Sequence, residues 1–208
     1  KTPIAFGSHL PALGTPIKWV SEQLKVMSDG SIKMKIYEPG KLVAPKEILD
    51  AVSAGKINSG YATAGYWQGK MPAAALFSAV PFGPEAGEYM AWLYYGNGMN
   101  LYQEMYDTNG YNVKVIPCAI ISPETSGWFS KEINSPDDLK GLNMRFFGLG
   151  AKVMQELGVD TQLLADLLDR AFLCFACDFN VGFVSHGESP LCQAAYLSAL
   201  FYRWRGQI

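Results

Sequence analysis

Histidine and cysteine are scarce in this chain. Of 208 residues, two are histidine and four are cysteine, and only Cys118 falls before residue 174. The first 173 residues therefore carry no disulfide framework. They also offer little material for chemistry built on imidazole. Positive charge is not in excess: 17 Lys and Arg stand against 19 Asp and Glu, a formal charge of −2. That balance argues against a nucleic-acid binder relying on a basic surface. No apolar run approaches the ~20 residues a membrane-spanning helix requires. No G-x-S-x-G, phosphate-cradling glycine loop or H-E-x-x-H occurs, and no nucleophile–base pair is legible by spacing. Internal repeats and low-complexity tracts are missing. So is a signal peptide: the chain begins at Lys1 in strand-like sequence, as a processed or truncated protein would.

What is present suits a globular binder. Apolar residues make up 49% and charged residues 17%, with aromatics at 13%, ample for a core. The length allows one large domain or two lobes of about 100 residues each. Thr2-Pro3-Ile4-Ala5-Phe6-Gly7 reads as a strand. Thr15 and Pro16 open a helix with Ile17, Val20, Leu24 and Met27 on one face. Alternation over 32–37 predicts a half-buried strand, 46–54 a helix and 59–64 another strand. This β-α-β-α-β order indicates an α/β unit with a largely parallel sheet. Two helices are expected over 85–95 and 98–109, then a β-rich run over 112–121 broken by Pro117. The polar segment 122–127 follows, where a crossover between lobes is placed.

The most telling run is Asp138-Leu139-Lys140-Gly141-Leu142-Asn143-Met144-Arg145. Ser135 can cap a short helical turn, with Pro136 at its first position and Asp138 three residues after the cap. Gly141 ends that turn. Leu142, Met144 and Phe146 then share one face of an extended segment, and Asn143 and Arg145 the other. A helix with Ala151, Val153, Met154 and Leu157 follows, stopped by Gly158. A charge at a strand end between two elements is where α/β proteins put ligand-binding groups. Arginine suits that task because its fork grips a carboxylate through two parallel hydrogen bonds. The competing reading is a surface arginine in a salt bridge.

Several further segments carry a family resemblance: 50–57 (Asp50 to Ile57), Gly65-Tyr66-Trp67, Ala79-Val80-Pro81-Phe82-Gly83, Ser126-Gly127-Trp128-Phe129, and the run ending at Arg145. In this order and spacing the first ~164 residues resemble the extracytoplasmic solute-binding subunit of tripartite ATP-independent periplasmic (TRAP) transporters, DctP-type, in the branch handling 2-oxo acids and related organic anions. The resemblance implies a two-lobe periplasmic binding protein-like α/β fold whose cleft closes on its ligand by hinge motion. It implies a non-enzymatic receptor of a sodium symport system, located in the periplasm. Its partners would be a small organic acid and the TRAP membrane subunits, with homodimerisation left open.

Arg145 would hold the substrate carboxylate. Glu124 would donate a carboxylate oxygen to a Na+ or Ca2+ ion bridging ligand and protein, as hard cations prefer. Tyr66 and Trp67 would wall the cleft, with Tyr95 and Tyr94 as further candidates. As plain packed aromatics these four would be unsurprising. His9 reads as a structural loop residue. On this reading residues 1–122 form lobe I, 123–164 begin lobe II, and 165–208 form a tail foreign to the family, out of frame or truncated, leaving lobe II incomplete. The alternative function is a small enzyme or zinc-binding protein using Cys174, Cys177, His186 and Cys192.

Overall fold

The computed structural model describes residues 1–121, 129, 132–146, 148–162 and 196–202. Strand β1 (Thr2–Pro3) leads through a loop into helix α1 (Thr15–Met27), which has a proline in its first turn. Ile17 faces inward at 0% exposure, whereas Met27, expected on the same stripe, is 82% exposed. The correction follows from position: Met27 is the last helical residue, beyond the end of the core it would have covered. Strand β2 (Ile36–Tyr37) is shorter than the alternation over 32–37 predicts. Ile32 is 52% exposed, because the chain turns after α1 with the Ile32 amide bonded to Ser28 Oγ at 2.9 Å.

The helix expected over 46–54 divides into a tight turn at Pro45–Glu47 and α2 (Ile48–Ser53). Ile48, Leu49, Ala51 and Val52 of α2 are all buried. Strand β3 (Ser59–Thr63) comes next, and Gly60 lies directly under Ile48 Cγ2, so that only a glycine lets α2 seat on the strand. Two tight turns, Ala64–Trp67 and Pro72–Phe77, lead to α3 (Ala86–Tyr95) and α4 (Gly98–Thr108). Helix α3 starts with a reciprocal cap: the Glu85 amide donates to Glu88 Oε2 at 3.1 Å, and the Glu85 carboxylate accepts in return. Phe77 stacks on Tyr102 of α4 with rings 4.5 Å apart and on Trp92 of α3 at 5.8 Å, and so locks both helices to the turn before them.

Strand β4 (Lys114–Ile121) carries Pro117. Its pairing shifts between Pro117 and Ala119, leaving Cys118 as the bulged residue. A bulge is where a strand accommodates a residue without an N–H. Beyond it lie β5 (Asn143–Arg145), α5 (Leu149–Glu156), β6 (Asp160–Gln162) and β7 (Tyr196–Tyr202).

Strand β1 pairs in parallel with β2, and Ile4 continues it into a parallel bridge with Tyr61 of β3. Strand β7 lies between β3 and β4, antiparallel to both. The order is thus β2-β1-β3-β7-β4, parallel throughout except for β7. The parallel strands agree with the sequence expectation; the antiparallel partner comes from more than 130 residues beyond β3 and about 75 beyond β4, about which the first half holds no local signal. The main core gathers α2, β3, the tight turns, α3 and α4 around Trp67, Tyr102 and Tyr106, all at most 1% exposed. A smaller core forms around Leu139, Met154 and Val159, where Leu142, Met144 and Phe146 pack, so that the one-face reading of this run holds. Among the described residues no helix is long and apolar enough to cross a membrane.

Candidate functional site

The segments that follow β1 and β3 lie side by side, and the turn after β5 lies against the segment that follows β3. After β1, Phe6 lies 5.9 Å ring to ring from Tyr66, which follows β3. At the end of β3, Thr63 and Ser78 share a buried 2.7 Å hydrogen bond that fixes the segment running on to Pro81. The turn after β5 meets that segment. A side chain added at Gly148 would begin 3.7 Å from Gln68 Oε1 and 4.0 Å from the Ala79 carbonyl oxygen. At Gly150 it would begin 3.9 Å from Pro81 Cγ. Open α/β sheets place ligands outside the carboxyl ends of their strands, so this is the candidate site.

Local sequence explains how β5 is aimed. Ser135 and Asp138 form the reciprocal cap, with the Ser135 amide donating to Asp138 Oδ2 at 2.9 Å. Gly141 (φ 72°) then turns the chain into β5, whose Asn143, Met144 and Arg145 lie opposite Asp160, Thr161 and Gln162 of β6. Arg145 is the last residue of the strand, three before Gly148. Gly148 adopts φ 61°, ψ −133°, a conformation open essentially to glycine alone. Phe82, beside Pro81, also has positive φ (56°) and is 57% exposed. For a bulky residue that is a strained geometry, of the kind that clusters at ligand clamps.

The expected site residues fall in different places. Tyr66 is half-buried against Phe6 at the strand ends. Trp67 is 1% exposed, with its indole N–H donating to the Lys46 carbonyl at 2.8 Å. It supports the turn carrying Tyr66 from behind. Tyr95 is 94% and Tyr94 54% exposed at the end of α3. The Arg145 side chain lies outside the described residues, as do Glu124 and the set Cys174, Cys177, His186 and Cys192. Among the described residues no group of three acidic, histidine or cysteine side chains is placed to hold a metal. His9 is exposed in the loop after β1. There the Ser8 amide donates to Glu38 Oε2 at 3.0 Å, and hydrogen bonds from the Ser8 side chain and backbone hold the Glu38 carboxyl below its ordinary value. The structure adds Gln68 and Gly148 to the candidate set. Neither has a local sequence signal beyond standing next to Trp67 and after Phe147.

An α/β sheet with one antiparallel strand among parallel ones, joined to a second small sheet, is the fold of a two-lobed periplasmic binding protein. The chain belongs to the bacterial extracellular solute-binding protein family 7 (DctP), whose model matches residues 11–165. It is 41% identical over 155 residues to the monocarboxylate 2-oxoacid-binding periplasmic protein of Nostoc sp., covering 74% of this chain and 42% of that one. Among solved structures it is similar to a TRAP periplasmic solute-binding protein of Pseudoalteromonas atlantica with bound sodium and pyruvate (29% identity, TM-score 0.81). A second, from Colwellia psychrerythraea, has bound calcium and pyruvate (28% identity, TM-score 0.78). Each of these two alignments covers 97% of this chain and 65% of the other. The chain thus spans less than half of the Nostoc relative and about two thirds of the two solved proteins.

Proposed function

We propose that this chain is the ligand-binding part of a periplasmic receptor for a small monocarboxylate, a 2-oxo acid such as pyruvate, serving a TRAP transporter. The observation that carries this reading is the 41% identity over 155 residues to a 2-oxoacid-binding periplasmic protein. Arg145, at the end of β5, grips the carboxylate with two charge-assisted hydrogen bonds. Tyr66 lines the facing wall, and its phenol reaches a ligand oxygen. Trp67 holds that wall in place. Glu124 supplies oxygen to a sodium or calcium ion bridging the ligand, as the ions bound by the two solved relatives support. Residues 1–122 form the first lobe and residues from 123 onward begin the second. Closing the lobes over the anion presents the surface that docks on the membrane subunits. Binding and release complete the receptor's task, with no bond made or broken.

A thermal-shift screen of 2-oxo acids, hydroxy acids and dicarboxylates, each with and without Na+ and Ca2+, tests this reading. A ligand at 100 times its Kd stabilises the folded state by about 2.7 kcal/mol. For a chain of this size that is a rise of roughly 5–11 °C. Pyruvate raising the melting temperature, with an added contribution from the ion, is the expected result. Stabilisation by none of the acids under any ionic condition refutes it.

A further inference from the structure

We propose that the outer face of α1 and the turn after it form a second binding surface, which seats on an anionic lipid bilayer. Helix α1 is apolar on two sides. Ile17 is buried and Val20 packs beside it on the sheet, against Ile4 and Tyr61. Trp19 and Val26 stand two turns apart along another line of the same helix, and they are 62% and 74% exposed. Met27 ends the helix at 82% exposure. Ile32, whose amide bonds to Ser28 Oγ just beyond the helix, is 52% exposed. Single exposed apolar side chains are ordinary. A Trp, a Val, a Met and an Ile gathered on one helix and its turn mark an interaction surface.

Charge names the occupant. Lys18 and Lys25 run beside Trp19 and Val26, again two turns apart, and Lys33 follows Ile32; all three are exposed. Residues 15–37 hold four lysines against two acids, Glu22 and Asp29, a net +2 in a chain of net −2. The surface is thus locally basic in an acidic molecule, complementary to a negative one. Its form favours lipid over protein. Protein interfaces are depleted of lysine and seat their aromatic anchors in fitted pockets. A bilayer instead takes projecting Trp and aliphatic side chains into its headgroup boundary, while lysines attract anionic lipid.

The test is cosedimentation of the full chain at low salt with vesicles of phosphatidylglycerol and phosphatidylcholine in equal parts, and with vesicles of phosphatidylcholine alone. Wild type is expected to bind the anionic vesicles and to release them as salt rises to about 0.5 M. Trp19→Ser with Met27→Ser, and separately Lys18→Gln with Lys25→Gln and Lys33→Gln, should each lower the partition coefficient about tenfold. All five side chains are exposed, so both variants keep the core that folds them. No binding to anionic vesicles, equal binding to neutral ones, or binding that survives either set of substitutions overturns the proposal. So does a vesicle-free dimer in sedimentation equilibrium that the Trp19 and Met27 substitutions abolish, since a second copy is then the occupant.

Discussion

Gly148→Ala probes the turn that carries β5 toward the site. Gly148 has φ 61° and ψ −133°. An alanine there is held in a backbone conformation costing on the order of 1–3 kcal/mol. The steric contribution is small by comparison. The new Cβ meets Gln68 Oε1 at 3.7 Å and the Ala79 carbonyl at 4.0 Å, both ordinary van der Waals contacts. Replacing glycine also narrows the unfolded ensemble, which returns roughly 0.4–1 kcal/mol. The net expectation is a loss of about 1–2 kcal/mol, or a fall of roughly 2–8 °C in melting temperature for a chain of this length. Gly69→Ala is the control. Gly69 is exposed, lacks a positive φ, and a Cβ there meets nothing within 4 Å. Its effect should stay within about 0.5 kcal/mol. Urea unfolding of both variants decides the matter. If Gly148→Ala matches wild type and the control, the glycine conformation is not what shapes the turn. The variant should also bind pyruvate more weakly, because relaxing the turn moves the end of β5.

Two further outcomes follow from the same geometry. Ser135→Ala removes one half of the cap with Asp138; it should lower stability by about 0.5–2 kcal/mol in urea unfolding, and no loss would mean that the cap does not hold the approach to β5. The hydroxyls of Tyr89, Tyr102 and Tyr106 are all raised above the ordinary value of 10.0, chiefly by burial. A raised acid pKa means the folded state keeps protons that the unfolded state gives up, so this stability is intact below pH ~10 and declines as pH rises beyond it. Urea midpoints at pH 9 and 11 should differ accordingly, and equal midpoints would contradict the burial.

Much of the local structure was legible because its causes are local. The helix opened by Thr15 and Pro16, the two helices on either side of Gly96-Asn97-Gly98, and the Ser135–Asp138 cap each depend on residues within one or two turns. The alternation of Leu142, Met144 and Phe146 predicted the buried face of β5 for the same reason. Legibility failed where a distant segment decides. Ile32 has the period of a strand residue, yet the turn bonded to Ser28 Oγ leaves it in solvent and shortens β2. The insertion of β7 between β3 and β4 pairs it with residues more than 130 positions away in β3 and about 75–88 away in β4, which periodicity within either strand does not encode. The same holds at the site. Tyr66 and Trp67 read together as cleft walls with Tyr95 as a further candidate, and packing against Phe6, the Lys46 carbonyl and open solvent separates all three. Gln68 carries no local signal, since its nearness to Gly148, eighty residues away, is made by the fold.

The central claim is that a positive fork at the end of β5 captures a carboxylate. Calorimetry of pyruvate binding to wild type and Arg145→Ala tests it most directly. Two charge-assisted hydrogen bonds at about 1.5–3 kcal/mol each amount to roughly a 10²–10⁴-fold loss of affinity. The account predicts a loss of that size in a variant that still melts cooperatively. A folded Arg145→Ala protein that binds pyruvate as tightly as wild type contradicts it.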